Sequence, residues 1–445
     1  MENLDYEVKE MVNQVRKNKK PGFIEVDTYR LNAHSKGDDN RYQKEINEYY
    51  GKDIIKKALD NINEMNDYYI KIKKNISSIV LKLEKEVTLT TNIKKINIPK
   101  LISHSLNKYP SSGRYNKLIN EALIDFLEVN DKSIILGEDI EDGNKYTPKD
   151  YGGAFKVTKN LSKIFPKRIF NTPISEAAIV GIGAGYSIKA GRSFVEIMFG
   201  DFTTLILDQV LQHITKFETM YNGKIKCPIV IRTPMGGKRG YGPTHSQSLE
   251  KHFLGIPNLI ILAFNHRISP LFIMESISEN KSNPVLLIEN KTLYTVDTKI
   301  NKLEGYTYRY ENSNFPALII IPNLGNPIFT VICYGEVLND LELAARKALI
   351  NLELFIEIVC LVQISPVDIS LIKDSVKKTK NLIIIEEGNN EGAWGSEVTA
   401  QLIENRIPIE RLIRFGNQNI IPSSLEAENK ILPTKENIYK IFLNL

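Results

Sequence analysis

Residues 171–187 read NTPISEAAIVGIGAGYS, and how this run is read decides the fold. Its alternating glycines invite a dinucleotide-binding interpretation. That fingerprint needs GxGxxG between a strand and a helix, with an acid some way downstream. Here Gly181, Gly183 and Gly185 alternate and Tyr186 stands where the third glycine would be needed. The preceding SEAAIV continues as a helix, so the glycines read as small residues that permit close helix packing. No GxxxxGK[ST] phosphate loop occurs. The one charge in the run is Glu176. A carboxylate opening a helix can simply complement the helix dipole. Among Pro173, Ile174, Ala177 and Ala178, however, it finds little water, which favours its protonated form and a proton shared with a ring nitrogen.

Outward from this run, short apolar strands alternate with helical stretches. SIILGED, PIVIRTP, NLIILAF and PVLLIEN fall before residue 292; IFTVICYG, FIEIVCLV and NLIIIEE follow a variable link near 293–327. Short buried strands separated by helices imply parallel α/β sheets. The N-terminal part differs. Residues 1–20 read as a charged helix, PGFIEVDTYRL as a single strand, and 43–88 as Lys- and Glu-rich helices. A lone strand cannot satisfy its own edges, so it is expected to complete a sheet elsewhere.

Composition excludes several classes. The chain has 445 residues, 42% hydrophobic and 25% charged, with a net charge of +5. About two to three domains are expected. So small a charge does not point to nucleic acid or a membrane surface. Cys227, Cys333 and Cys360 lie in apolar runs and read as reduced core thiols. Neither CxxC nor HExxH is present, no signal peptide is read at the start, and the apolar runs are broken by Pro and Gly. A cytoplasmic protein is expected, with no metal site of its own.

Two further segments carry chemistry. FGDFTTLILDQVLQHITK places Phe202 before a helix, as core or as a platform for a flat heterocycle. PMGGKRGYGPTHSQSLEKHF is a glycine-rich loop whose single His245 is flanked by hydroxyls and an amide, as at mobile active-site rims.

Taken together, RYNKLINEALIDFLEVNDKSIILGEDI, YGGAFKVTKNLSKIFPKRIFNTPISEAAIVGIGAGYSIKAGRSFVEIMFGDF, DQV, HSQSLEKHFLGIPNLII, QISPVDISLI and LIIIEEGNNEGAWGSEV resemble the beta subunit of thiamine-diphosphate-dependent 2-oxo acid dehydrogenases of the pyruvate and branched-chain type. GFIEVDTYRLNAHSKGDDNRYQKEINEYYGKD resembles the C-terminal tail of the alpha subunit. The resemblance implies an α/β fold: a transketolase-like pyrimidine-binding domain and a transketolase C-terminal domain, preceded by a strand and helices that complete a diphosphate-binding domain. It divides the chain into a tail 1–95, a linker 96–112, a pyrimidine-binding domain 113–295, a linker 296–326 and a C-terminal domain 327–445.

It also implies roles. Glu176 matches the glutamate that hydrogen-bonds the cofactor's aminopyrimidine, Phe202 the ring that stacks on it, and Ile174 and Met198 the pocket lining. His245 matches a histidine of substrate binding and proton transfer. His34 matches one at the mouth of the cleft near the diphosphate, and Ser35 a serine phosphorylated in some members. The family's GDG…Asn motif for Mg²⁺ and diphosphate is not found, since KGDD and EDGN do not match it. The cofactor set is thus thiamine diphosphate with Mg²⁺ held mainly by a partner subunit, in a heterotetramer of two alpha-type and two beta-type chains. A lipoyl domain or an acyl carrier protein is the expected acceptor. Transketolase-like transfer of a hydroxyacetyl unit from a ketose phosphate, and a non-catalytic scaffold, are the alternatives.

Overall fold

The computed structural model describes residues 4–33, 41–85, 112–143, 151–298, 303–312 and 315–445. The chain divides into two compact units, Met1–Lys94 and Lys95–Leu445.

The first unit is helical: α1 (Leu4–Asn18), α2 (Gln43–Gly51), α3 (Ile54–Asn61) and α4 (Asn63–Lys85). Asp53 caps α3, accepting from Ile55 N–H at 2.9 Å. The expected strand is not formed. Residues 21–31 form no ladder, and Phe23 is 83% exposed. A ladder needs a neighbour, and the described part of this unit holds no strand for the segment to pair with, so the sheet it was expected to complete is not within this unit. Side chains hold the segment instead. Tyr29 stacks on Tyr49 with ring centroids 3.7 Å apart. Its hydroxyl donates to Glu45 at 3.0 Å, and the Tyr50 hydroxyl donates to Asn32 Oδ1 at 3.1 Å.

The second unit is built on two sheets. Gly113–Arg114 (β1) opens it and leads into the amphipathic α5 (Tyr115–Val129), whose Leu118, Ile119, Ala122, Leu123, Phe126 and Leu127 are buried. Then come β2 (Ile134–Gly137), α6 (Leu161–Ile164), β3 (Ile169–Asn171), α7 (Glu176–Lys189), β4 (Ser193–Glu196), β5 (Val230–Met235), β6 (Ile260–Ala263), β7 (Val285–Asn290) and β8 (Asp297–Thr298), which pairs with β1. The remaining strands are β9 (Tyr306–Asn312), β10 (Pro316–Pro322), β11 (Phe329–Tyr334), β12 (Ile356–Leu361), β13 (Gln363–Ser365), β14 (Asn381–Asn389) and β15 (Arg411–Asn417). The first sheet has the order β13-β6-β7-β5-β4-β2-β3, and the second β15-β14-β11-β12-β10-β9.

All seven apolar runs singled out in the sequence lie on strands. Strands β2, β4, β5, β6 and β7 are buried along their whole length and pair in parallel, as a sheet with helices on both faces requires. The stretch read as a variable link has more structure than its composition suggests. Tyr306–Asn312 and Pro316–Pro322 form an antiparallel pair that extends the second sheet through β12. β13, from the C-terminal part, lies antiparallel on β6 and finishes the edge of the first sheet. One core cluster runs through both halves, joining Ile135 and Phe194 to Cys333 and Ile358. Cys333 and Cys360 are register partners on β11 and β12, and all three cysteines are free and buried.

In α7, Gly183 packs as expected: a Cβ there would stand 2.5 Å from Val195 Cγ2. Gly181 and Gly185 do not. Nothing lies within 4 Å of an added Cβ at either, and with Ile174 and Ile182 they form an exposed face.

Candidate active site

Because β2, β4, β5 and β7 run parallel, their C-terminal ends meet at one rim of the sheet, where open α/β sheets place their ligands. Charged and aromatic residues collect there. Glu138 follows β2, Met198–Phe202 follow β4, the glycine-rich loop follows β5, and Lys291 follows β7.

Glu176 begins α7, where the helix dipole favours a negative charge. It is buried, 9% exposed, and among the described residues its carboxylate has no hydrogen-bond or ion-pair partner. Beside it, burial pushes the Glu138 carboxyl up, and the negative charges of Glu176, Asp139 and Glu196 add to that. A buried carboxylate that lacks a donor is fitted to a ligand that brings one.

Below the rim lies a closed ionic triad. Arg232 on β5 donates to Glu289 through Nε at 2.9 Å and Nη2 at 2.7 Å, and to Glu196 through Nη1. The Tyr294 hydroxyl donates to Glu289 at 2.7 Å. Burial opposes the guanidinium charge, but Glu289 and Glu196 hold its pKa above the usual value. The triad ties together the ends of β4, β5 and β7.

The aromatic part faces the loop. Phe202 lies in a tight helical turn, Gly200–Ile206, against which α7 packs. The His245 ring meets Phe202 edge-on at 5.4 Å and Phe199 at 5.0 Å. Thr244 Oγ1 is 3.0 Å from His245 Nδ1. Of the residues singled out in the sequence, Phe202 and His245 are thus brought together, and Met198 lies half-buried just beyond β4. Ile174 is 83% exposed, so on this chain alone it lines no closed pocket. His34 and Ser35 lie outside the described residues.

The loop is held from the C-terminal half. Glu428 accepts from the backbone N–H of Arg239 and Gly240, both at 3.0 Å, and from Ser246 Oγ at 2.6 Å. Glu387 accepts from Gly237 N–H at 2.6 Å and Ser248 Oγ at 3.2 Å. Lys238 pairs with Glu336 at 3.2 Å and Asp340 at 2.6 Å. Gly236 has a φ of +94°, and a Cβ there would lie 2.7 Å from Glu387 Oε1, so only glycine suits the turn.

Sequence reasoning missed Glu138, Lys291, Glu387 and Glu428. The first three carry a signal that could have found them, a charge at the end of an apolar strand in LGED, IENK and IIIEEG. Glu428, in a short polar helix, carries none.

Two carboxyls give a pH prediction. Burial raises the Glu336 carboxyl from 4.5 to about 7, with Asp340 and Glu387 adding and Lys238 opposing. Burial likewise raises Glu386 to about 7, with Glu250 adding and Arg414 opposing. Both groups hold their protons more tightly folded than unfolded. Their contribution is therefore full below about pH 4.5 and is lost as pH rises to about 7, by about 3 kcal/mol each. Urea unfolding is expected to show this downward slope in wild type and a flatter one in E336Q/E386Q.

The comparisons with known proteins agree with this architecture. The family model for the transketolase pyrimidine-binding domain matches residues 112–296, that for the transketolase C-terminal domain residues 325–438, and that for the dehydrogenase E1 component residues 2–92. The pyruvate dehydrogenase E1 component subunit beta-4 of Oryza sativa subsp. japonica is 32% identical over 288 residues, covering 64% of this chain and 68% of its own. The beta subunit of acetoin:2,6-dichlorophenolindophenol oxidoreductase of Bacillus subtilis is 30% identical over 339 residues, covering 74% and 95%. A solved split-gene transketolase, described as an inactive beta4 tetramer, shares the fold with a TM-score of 0.56 at 20% identity, covering 74% of this chain and 97% of its own. The chain therefore belongs to the beta-subunit family of thiamine-diphosphate-dependent 2-oxo acid dehydrogenases, with an E1-dehydrogenase segment at its N-terminal end. Among the described residues no helix is long and apolar enough to cross a membrane.

Proposed function

We propose that this chain is the pyrimidine-side subunit of a split thiamine-diphosphate enzyme, which cleaves a donor beside its carbonyl and passes the acyl unit to a carrier arm. The observation that carries this reading is Glu176, a buried carboxylate without a donor, on a helix packed against the aromatic turn of Phe202. The cofactor supplies the nucleophilic carbon and the electron sink that such a cleavage needs. Glu176 would accept a hydrogen bond from the pyrimidine and hold the shared proton at its carboxylate oxygen. Phe202 would take the flat face of the ring, with Met198 and Ile174 as walls, Ile174 being closed over only in the assembled enzyme. His245 binds the donor's oxygen and moves a proton at its imidazole during transfer. His34, within the tail 1–95, is assigned to the mouth of the cleft.

Diphosphate and Mg²⁺ fall to a partner subunit, in a heterotetramer of two alpha-type and two beta-type chains, and the acceptor is a lipoyl domain or an acyl carrier protein. The domain limits 113–295 and 327–445 are part of the same reading. The test is to co-purify the chain with a partner carrying a diphosphate-binding domain and supply pyruvate, branched-chain 2-oxo acids and xylulose 5-phosphate. Acyl loading from a 2-oxo acid is expected. Loading from the sugar phosphate alone would overturn the 2-oxo acid reading in favour of transketolase-like transfer. In calorimetry the isolated chain should bind thiamine diphosphate weakly and the complex tightly.

A further inference from the structure

Lys291 has no part in the function proposed above, yet it occupies the centre of the rim. It follows β7, is fully buried, and among the described residues has no carboxylate at ion-pair distance. Its contacts instead run to the loop that carries His245. Its backbone N–H donates to the carbonyl of Met235, the last residue of β5, at 3.0 Å. Its ammonium donates to the carbonyl oxygen of His245. One residue thus ties down both ends of the segment 235–245. The ammonium also stands 5.1 Å from the centre of the Phe199 ring and 5.9 Å from that of Tyr241, and Phe199 is the ring that the imidazole meets.

We propose that Lys291 is a positioning residue for His245: by closing the loop from the carbonyl side, it holds the imidazole in the corner between Phe199 and Phe202. Glu428 and Glu387 hold the same loop through its N–H groups. The inference rests on the reading of His245 as the donor-facing histidine. It also explains why a lysine is carried here at all. A buried cation without a carboxylate partner costs stability, and such residues persist where they serve a site. Burial lowers its pKa to about 8; Asp201, Glu387 and Glu428 oppose the fall and Arg239 adds to it.

The test uses the full chain, alone and in its complex, and Lys291→Met, which keeps the length and removes charge and donor. Three readouts are taken: the thermal midpoint, the His245 signal in ¹³C-histidine-labelled chain (assigned by its loss in His245→Ala), and steady-state kinetics. The midpoint is expected to stay level or rise. The His245 signal should move while those of the other histidines, of six in all, stay in place. In wild type that signal should respond again as pH passes about 8, and K291M should lack this response. Turnover should fall about a hundredfold, and H245A/K291M should lose no more than H245A. Lys291→Arg, which keeps a charged donor, should restore the signal. A K291M chain that fails to fold, a lowered midpoint with His245 unmoved, or an additive double variant each overturns the proposal. A wild-type complex that turns over no donor counts against the proposed function, and the midpoint and histidine signals still decide the role of Lys291.

Discussion

Replacing Glu176 with alanine is expected to lower turnover of the assembled enzyme by about a thousandfold while leaving the fold intact. The two halves of this expectation have one cause. The carboxylate is buried at the start of α7 and has no hydrogen-bond or ion-pair partner among the described residues, so its removal breaks neither. It also removes a negative charge next to Glu138, whose carboxyl should then titrate closer to its ordinary value. A thermal midpoint equal to or above wild type is therefore predicted together with the loss of activity, the combination expected of a ligand-directed group. Glu176→Gln separates charge from shape: an amide can still face the ring but cannot take its proton. Activity within about tenfold of wild type in E176A would remove the cofactor reading and leave the scaffold alternative.

Arg232→Ala is expected to do the opposite, costing about 3–5 kcal/mol of stability. Arg232 is the only cation that contacts Glu196 and Glu289 among the described residues, and all three are buried. Alanine would leave two carboxylates facing each other in the core. Denaturant unfolding should show the loss at neutral pH and a partial recovery on acidification, because burial and Glu289 already raise the Glu196 carboxyl and a proton can stand in for the missing charge. Arg232→Met with Glu196→Gln and Glu289→Gln should cost less than the single change, since no charge is then stranded. A single variant as stable as wild type would mean that the triad is not what fixes the strand ends.

Much of this arrangement is legible along the chain, and the reason is locality. The strands announce themselves because each is buried on both faces and therefore apolar throughout. Glu176 is visible as the one charge in an apolar run, but its burial is not set by those neighbours: Pro173, Ile174 and Ala178 are exposed, and α7 buries the carboxylate by packing on β4 and the Gly200–Ile206 turn. The glycines of the same run show where local reading ends. Gly183 packs on β4, but Gly181 and Gly185, two residues to either side in the same small and apolar run, face outward, and the helix phase tells them apart. The strand expected at 21–31 has the right composition and no ladder within this unit, because strand formation is decided by what lies alongside. His245 is legible as a loop histidine. Its two carboxylate clamps are not, since Glu387 and Glu428 reach the loop from over a hundred residues away, and the pairing of Cys333 with Cys360 is equally non-local.

The short strand β13 sets a limit on how the molecule can be taken apart. Gln363–Ser365 belongs by chain order to the C-terminal half, yet its ladder lies on β6 in the other. Cutting the chain between the halves would strip a strand from a sheet that is otherwise parallel and leave the backbone of Ile260–Ala263 open along one side. An excised pyrimidine-side domain would be born with a sticky border and a tendency to pair with itself. The two halves are better understood as one piece of cloth with a shared hem than as beads on a string, and a library that shuffles such domains between relatives would have to carry residues 363–365 along with the first half.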